Sequence, residues 1–199
     1  MSNMEQALAD LKAGKLVVVT DDPDREGEGD LLGIAEFATP ATVNTMITLA
    51  RGLLCVPMAP EWAAQQGLNA MTNTSNDAFN TAFLVSADAR STSTGISAFD
   101  RATTIKKMAD PQATFADFYH PGHAFPLRAV TVGLQERQGH TEAGVSLAKL
   151  TSKSPVAYIC EIIKPDGHMA KGRDLVEFAH QHNFNLISIA KISEYLANH

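Results

Sequence analysis

The feature that most constrains this chain is a ten-residue acidic segment that directly follows a short apolar run. Residues 21–30 hold six carboxylates, one arginine and two glycines, and they follow Leu-Val-Val-Val at 16–19. The apolar run predicts a buried strand, which would deliver all six carboxylates to one place. Carboxylates crowded in this way need a cation or basic groups to neutralise them. The segment therefore predicts a metal-binding loop, and Arg25 within it indicates contact with an anionic ligand.

Two alternatives for this loop stay open on the sequence. The calcium loop of an EF-hand matches at its positions 1, 3, 5 and 6, which are Asp22, Asp24, Glu26 and Gly27 here. Its position 12, however, falls on Gly33 instead of glutamate, and a strand precedes the loop instead of a helix. The other alternative is a solvated acidic turn without a metal. If a metal does bind, oxygen ligands favour magnesium or manganese.

Length and composition predict one globular domain. The chain has 199 residues, of which 45% are apolar and 19% charged, so we expect a single domain over residues 1–199. The net charge of −6 and the lack of a lysine or arginine block disfavour nucleic-acid binding. No apolar run approaches the roughly 20 residues of a membrane span. The N-terminal residues lack the pattern of a secretory signal, so a cytoplasmic location is the default expectation.

The hydrophobic pattern alternates irregularly between helix and strand and predicts an α/β fold, a sandwich-like domain with a mixed sheet packed against helices. Residues 31–38 fit either a strand or a helix, and residues 110–128, with three prolines, are predicted to be irregular. Helices are predicted at 4–11, 40–51, 60–66, 98–108, 141–150, 173–182 and 191–197. Strands are predicted at 16–20, 53–58, 81–87, 129–134, 156–163 and 185–189.

Three further segments carry residues suited to catalysis or binding. His120 and His123 flank a Pro-Gly turn, which argues against helical zinc spacing, and apolar neighbours of His123 suit acid–base work. Residues 137–142 open a helix, whose free amides could bind phosphate together with the side chains of Arg137 and Thr141. Glu161 ends an apolar strand, where a carboxylate is costly unless it is paired or functional. An ordinary partly buried histidine and an ordinary capped helix remain the alternatives for the first two.

Five segments, in this order, resemble the 3,4-dihydroxy-2-butanone 4-phosphate synthase family. They read Asp-Arg-Glu-x-Glu-Gly-Asp, Thr-Gly-Ile-Ser-Ala-x-Asp-Arg, Pro-Gly-His-x-Phe-Pro-Leu-Arg, Gly-His-Thr-Glu-Ala and Cys-Glu-Ile. The resemblance covers about residues 5 to 197 and implies a homodimer of that family's α/β fold with active sites at the subunit interface. Some members carry a second domain, and because this chain stops at His199 we expect the stand-alone form.

The resemblance also implies a reaction. D-ribulose 5-phosphate would give 3,4-dihydroxy-2-butanone 4-phosphate and formate, with magnesium or manganese, two ions per active site, and no organic cofactor. Two rival functions share parts of this pattern. A non-catalytic metal- or phosphosugar-binding protein would keep the pocket, and a sugar-phosphate isomerase or epimerase would share a first enediol step without releasing formate.

The resemblance assigns roles by motif position. It implies that Glu26 and His140 bind the metal and that His123 and Glu161 are the acid–base residues. Substrate contacts are implied for Arg25, Glu26, Asp30, Thr94, Arg137, Gln138, Gly139, His140, Thr141 and Glu161. Of these, Arg137, Gly139 and Thr141 are expected to hold the phosphate.

Other positions are expected to line the same pocket, namely Asp21, Asp24, Glu28, Cys55 and Thr94. Two departures from the family pattern concern Gly27, where asparagine is more common, and residues 73–80, which keep only part of the pattern around Phe79.

Overall fold

The computed structural model describes residues 4–199. Residues 1–3 lie outside the described part. They are the first residues of the domain expected over 1–199 and of the N-terminal segment that lacks a secretory signal pattern. The strands are β1 (Val17–Thr20), β2 (Gly29–Ile34), β3 (Cys55–Met58), β4 (Ala87–Ala89), β5 (Phe118–Arg128), β6 (Ala157–Glu161) and β7 (Asn185–Ser188). The helices are α1 (Met4–Lys12), α2 (Pro40–Leu49), α3 (Pro60–Gln65), α4 (Ala98–Met108), α5 (His140–Thr151), α6 (Arg173–Gln181) and α7 (Ile189–Asn198).

Within residues 4–199 the strands form one seven-stranded mixed sheet in the order β4-β5-β3-β6-β2-β1-β7. Helices cover both faces. Strand β6 contributes to both faces. Tyr158 and Cys160 belong to a buried cluster that contains residues of α2 and α4. Ile159, between them, belongs to a second cluster that contains residues of α1, α5 and α7. This alternation is what a strand buried on both faces requires. The predicted α/β sandwich with a mixed sheet is confirmed.

The β1–β2 hairpin delivers the acidic loop to the site. The two strands pair antiparallel, with Thr20 opposite Gly29 and Val19 opposite Asp30. The ambiguous segment 31–38 proves to be β2 followed by a short 3₁₀ turn, Ala35–Phe37. Because β2 is buried along its whole length, Asp30 enters the core with it.

The centre of the sheet aligns further site positions. Strand β6 pairs antiparallel with β2 and places Glu161 opposite Asp30. Strand β3 lies between β6 and β5, with Cys55 opposite both Ile159 and Phe125. The strand register therefore decides which side chains meet at this end of the sheet.

Two sequence predictions were wrong in this region. The predicted strand at 129–134 is a turn with a 3₁₀ segment, and the segment predicted as irregular contains β5 instead. Valine and threonine gave a strand-like pattern there, but Val132 is exposed and Gly133 adopts φ +71°. Proline did not prevent β5, because its carbonyl remains available: Pro126 accepts the Leu84 N–H at 2.9 Å.

The predicted strand at 81–87 is also largely replaced. Phe83 and Leu84 form only isolated bridges, and the regular strand in this region, β4, begins at Ala87. The predicted helices at 40–51, 60–66, 98–108, 141–150 and 173–182 are confirmed within one or two residues at each end. None of the helices in residues 4–199 combines the length and apolar character needed to cross a membrane.

The start of α2 offers a test of the fold. Thr39 caps this helix: its Oγ1 accepts the Thr42 N–H at 3.1 Å, and Thr42 Oγ1 accepts the Thr39 N–H at 3.0 Å. We expect Thr39→Ala to lower the free energy of unfolding by about 1 kcal/mol, since it removes this cap. The measurement is chemical denaturation. Thr48→Ala, the same change at an exposed position inside α2, is the control and should be neutral or slightly stabilising.

Candidate active site

A cavity of about 480 Å³ opens beside the acidic loop, at the ends of β2 and β6 and the start of α5. Most of the residues predicted for the site line it. They are Arg25, Glu26, Glu28, Asp30, Cys55, Arg137, His140, Thr141 and Glu161. The fold thus brings together segments that lie more than a hundred residues apart in the sequence.

Asp21, Glu26 and His140 form a cluster suited to a metal ion. One ligand atom from each lies within 4.8 Å of the others. The Asp21 carboxylate is buried and already accepts hydrogen bonds from Arg25 Nη1 at 2.8 Å and from the Glu28 N–H at 2.8 Å. Glu26 Oε1 in turn lies 3.0 Å from Arg25 Nη2, but the Glu26 side chain is 22% exposed, against 0% for Asp21. Glu26 is therefore the more accessible of the two carboxylates, and Asp21 organises the loop beneath it.

His140 is held in the form that binds metals. Its Nε2 lies 3.1 Å from the Val19 carbonyl oxygen, and because a carbonyl only accepts, Nε2 must carry the proton. In the neutral ring Nδ1 then has a free lone pair, and it lies 4.0 Å from Asp30 Oδ1. Burial lowers the pKa of His140, which favours the neutral ring. Metal-binding histidines commonly donate their second N–H to a backbone carbonyl in this way.

Asp30 lies where negative charge is most crowded. Burial raises the pKa of the Asp30 carboxyl well above its ordinary value, and the charge of Glu161 on the neighbouring strand raises it further. Burial also raises the pKa of Glu28, with Lys171 opposing the shift and Glu26 adding to it. A site with these shifts attracts a cation.

Glu161 is fixed at the end of β6 by the backbone of a neighbouring segment. Its Oε2 accepts the Leu53 N–H at 2.8 Å. Gly52 packs so closely against Glu161 that a Cβ there would overlap the carboxylate. Gly52 is thus a site residue that the sequence reasoning missed, and a glycine before an apolar run carried no signal for it.

Arg137 joins the start of α5 to the segment 77–81. It contacts buried Glu142 through Nη1 at 2.5 Å, Thr81 Oγ1 through Nη2 at 2.9 Å and the Phe79 carbonyl through Nε at 3.1 Å. The Arg25 guanidinium lies over the Phe79 ring, 5.2 Å from its centre. Segment 77–81 therefore covers one side of the cavity through contacts with two of the predicted substrate-binding arginines.

Lys171 also lines the cavity, and the sequence reasoning missed it. Its Nζ donates to the Glu26 carbonyl at 2.6 Å and lies 3.7 Å from Glu28 Oε1. It follows the turn before α6 and belongs to none of the recognised motifs, so only the need to balance the acidic loop could have indicated it.

Gly139 and Gln138, the two residues just before α5, differ in their surroundings. Gly139 is the N-terminal cap of α5, and the Arg137 guanidinium lies so close to it that a Cβ there would displace the end of this side chain. Gln138, by contrast, lines a separate cavity of about 320 Å³ next to α7. Asp24 is not among the residues lining the main cavity, although it lies in the acidic loop.

His123 and Thr94 do not line the main cavity either. His123 lies on β5, and β3 lies between β5 and β6, the strand that carries Glu161. Its Nδ1 lies 2.7 Å from Asp88 Oδ2. Thr94 is exposed and precedes Gly95, which packs against the same carboxylate. These two predicted residues form a second group around Asp88.

The two cysteines, Cys55 and Cys160, are buried. Burial raises the pKa of both thiols, that of Cys160 to about 12. Cys55 lines the cavity and, with its raised pKa, stays protonated at neutral pH, so it provides a small apolar wall.

Comparison with known proteins identifies the family of this chain. Residues 5–195 match the family model for 3,4-dihydroxy-2-butanone 4-phosphate synthase. A protein of that name from Oceanobacillus iheyensis is 48% identical over 195 residues, which cover 98% of this chain and 94% of the relative. Riboflavin biosynthesis protein RibBA from Bacillus cytotoxicus is also 48% identical, but the chain spans only about half, 49%, of that longer relative.

A solved structure of similar fold agrees with the sequence comparison. A 3,4-dihydroxy-2-butanone 4-phosphate synthase in complex with two magnesium ions superposes with a TM-score of 0.94 at 38% identity, covering 100% of this chain and 98% of the other. A two-domain synthase from A. baumannii superposes with a TM-score of 0.93 at 43% identity, and the chain covers 57% of it. The cavity, the motifs and these relatives together establish that the chain belongs to the 3,4-dihydroxy-2-butanone 4-phosphate synthase family.

Proposed function

We propose that this chain is a lyase that converts D-ribulose 5-phosphate to 3,4-dihydroxy-2-butanone 4-phosphate and formate in riboflavin biosynthesis. Membership of the synthase family supports this. The observation that carries the proposal is the convergence of Glu26, His140 and Glu161 in one cavity with Arg137 and the start of α5. A metal-binding pair, a carboxylate base and an anion-binding helix start are the groups that this reaction needs.

The donor set fits a divalent magnesium or manganese ion. Glu26 and His140 would hold it, a carboxylate and a neutral imidazole whose other nitrogen is already bonded. Two ions per site would further balance the carboxylates around Asp30, and the relative with two magnesium ions supports this number. A bound ion would stabilise negative charge developing on a substrate oxygen.

The substrate would lie between the acidic loop and α5. Arg25 and Asp30 would hold the sugar hydroxyls, and Arg137, Gly139 and Thr141 would hold the phosphate at the helix start. Gln138 would adjoin them in the chain, although it lines the other cavity. Phosphate binding would compete with the bond from Arg137 to Glu142.

Acid–base chemistry would follow from the same arrangement. Removal of the proton at carbon 3 gives an enediol, and loss of the carbon 1 hydroxyl then needs a general acid. A skeletal shift joins carbons 3 and 5, and water addition releases carbon 4 as formate. Glu161 and His123 would carry these proton transfers. The atoms of both products sum to those of the substrate, so the reaction needs no external oxidant. An organic cofactor has no part in the proposal.

Formate release tests this function. With D-ribulose 5-phosphate and magnesium we expect one formate per substrate consumed, and a chelator should abolish release because the ion stabilises the oxyanion. Formate is measured with a coupled dehydrogenase assay. Consumption of substrate without formate would identify an isomerase or epimerase, and the absence of any turnover by folded, metal-loaded protein would favour a binding protein.

Metal binding can be tested separately from turnover. We expect Glu26→Gln and His140→Ala each to weaken Mn²⁺ binding by at least about tenfold, because each removes a ligand. Titration followed by the electron paramagnetic resonance signal of free Mn²⁺ measures this. Asp24→Asn, an exposed change in the same loop and outside the cluster, is the matched control. Unchanged affinity in Glu26→Gln would contradict the assignment.

We further propose that the chain acts as a homodimer in the cytoplasm, with active sites at the interface. His123 and Thr94 lie outside the cavity of their own chain. Their surroundings expose four large apolar side chains, at 51% to 72%, which is unusual for a surface that stays in water. These residues are Ile96, Phe99, Phe115 and Tyr119. A second copy covering this surface would bring its own cavity next to His123.

Mixing inactive variants tests this dimer. Glu26→Gln damages the cavity and His123→Ala damages the second group, so a mixed dimer would keep one intact site. After joint refolding of equal amounts we expect about a quarter of wild-type formate release. Mixing Glu26→Gln with His140→Ala, which damage the same cavity, is the control and should restore nothing. Equal lack of activity in both mixtures would place His123 and Glu26 of one chain in one site.

A further inference from the structure

Asp88 and His123 form a hydrogen-bonded pair outside the main cavity. Asp88 is buried on β4, and its Oδ1 accepts the His123 backbone N–H at 2.8 Å. Its Oδ2 lies 2.7 Å from His123 Nδ1. In the described part of the chain, both hydrogen-bond partners of this carboxylate thus come from His123, and no lysine or arginine pairs with it there.

The pairing of β4 with β5 creates this contact. Ala87 lies opposite Ala124, but the next residue, Asp88, lies opposite Tyr119. The residues between Tyr119 and Ala124 therefore bulge out of the ladder and fold back over Asp88. Ser86 Oγ secures the bulge by accepting the Gly122 N–H at 3.1 Å.

Two glycines enclose the carboxylate. A Cβ at Gly122 would overlap the backbone joining Ala87 and Asp88, and a Cβ at Gly95 would overlap the Asp88 side chain itself. Gly95 also adopts φ +82°, a conformation that favours glycine. The Thr-Gly and Pro-Gly-His segments recognised in the sequence thus meet at Asp88.

The contact decides which nitrogen of His123 is protonated. An ionised carboxylate only accepts hydrogen bonds, so Nδ1 must carry a proton. In the neutral ring Nε2 then keeps its lone pair, and within residues 4–199 it has no hydrogen-bond partner, while 44% of the side chain is exposed. The ring therefore presents a proton acceptor at the surface.

We propose that Asp88 is a positioning residue that fixes the ring orientation and the Nδ1–H tautomer of His123, so that Nε2 is presented as the proton acceptor. This inference rests on the proposed function, in which His123 transfers protons. A purely structural Asp88 would hold only the backbone bulge through the His123 N–H. The two roles differ in what they predict for the ring.

Asp88→Asn separates them. The amide keeps the shape and can still accept the backbone N–H, but its NH₂ group would face Nδ1 and favour the opposite tautomer. We expect kcat for formate release to fall by about 10²-fold or more, with KM and Mn²⁺ affinity within about threefold of wild type. A kcat within threefold of wild type would overturn the proposal.

A double variant tests whether Asp88 acts through His123. If it does, Asp88→Asn adds no further loss of kcat in a His123→Ala background. If the fold-loss of kcat in the double variant equals the product of the fold-losses in the two single variants, the proposal is overturned. Asp166→Asn is the matched control. Asp166 also accepts a backbone N–H, that of His168, and lies 3.4 Å from the Nδ1 of this histidine, but this pair is exposed. Its kcat should not change.

Nitrogen-15 NMR of the wild-type protein tests the contact without any variant. At alkaline pH, where the imidazole is neutral, we expect His123 to carry its proton on Nδ1. Protonation on Nε2 would overturn the proposal even if Asp88→Asn fails to fold. If the wild-type protein releases no formate, the proposed function fails, whereas the tautomer result still decides whether Asp88 sets the state of the ring.

Discussion

Repulsion between carboxylates at one end of the sheet is the constraint on which the rest of the site depends. Asp30 and Glu161 lie opposite each other on adjacent strands, and the acidic loop adds Asp21, Glu26 and Glu28 beside them. Burial removes the water that would otherwise screen these charges. The described residues offset part of the charge, through Arg25, which contacts Asp21 and Glu26, and through Lys171 near Glu28. The remaining negative charge accounts for the affinity for divalent ions proposed above.

Strand register is what maintains this arrangement. Because side chains alternate between the two faces of a sheet, a slip of one residue between β2 and β6 would send Asp30 or Glu161 to the opposite face. The buried residues of β2, which pack on both faces, make such a slip costly. The acidic loop can therefore hold its charges close together because the strands on either side are fixed by apolar packing.

The sequence predicted the parts of this structure that local chemistry determines. The apolar run before the acidic loop folds as β1, and a helix begins at residue 40 as predicted. The motif residues Glu26, His140 and Glu161 line one cavity. The path of the chain from 81 to 134 was not, because β5 contains prolines that local rules exclude from a strand. Its pairing with β3 and β4 is a long-range effect that no window of sequence contains.

Residues whose role depends only on a close contact in the fold could not be predicted from the sequence. Gly52 matters because Glu161 lies against it, and Asp88 matters because β5 bulges back over it, and neither fact has a local signal. The separation of His123 from the cavity is a result of the same kind. Motif order alone groups all predicted residues into one site, whereas the sheet order places β3 between His123 and Glu161.

Because His123 lies apart from the cavity, folding of one chain does not by itself assemble the proposed site. The core clusters and the acidic loop beside the cavity are built from residues of this one chain. The group around Asp88 is also complete within the chain, but it lies beside exposed aromatic residues instead of the cavity. With the proposed dimer, folding builds two rigid halves of a site and association joins them. Rigid halves suit this chemistry, because several proton transfers on one small sugar require bases held in fixed positions before the substrate arrives.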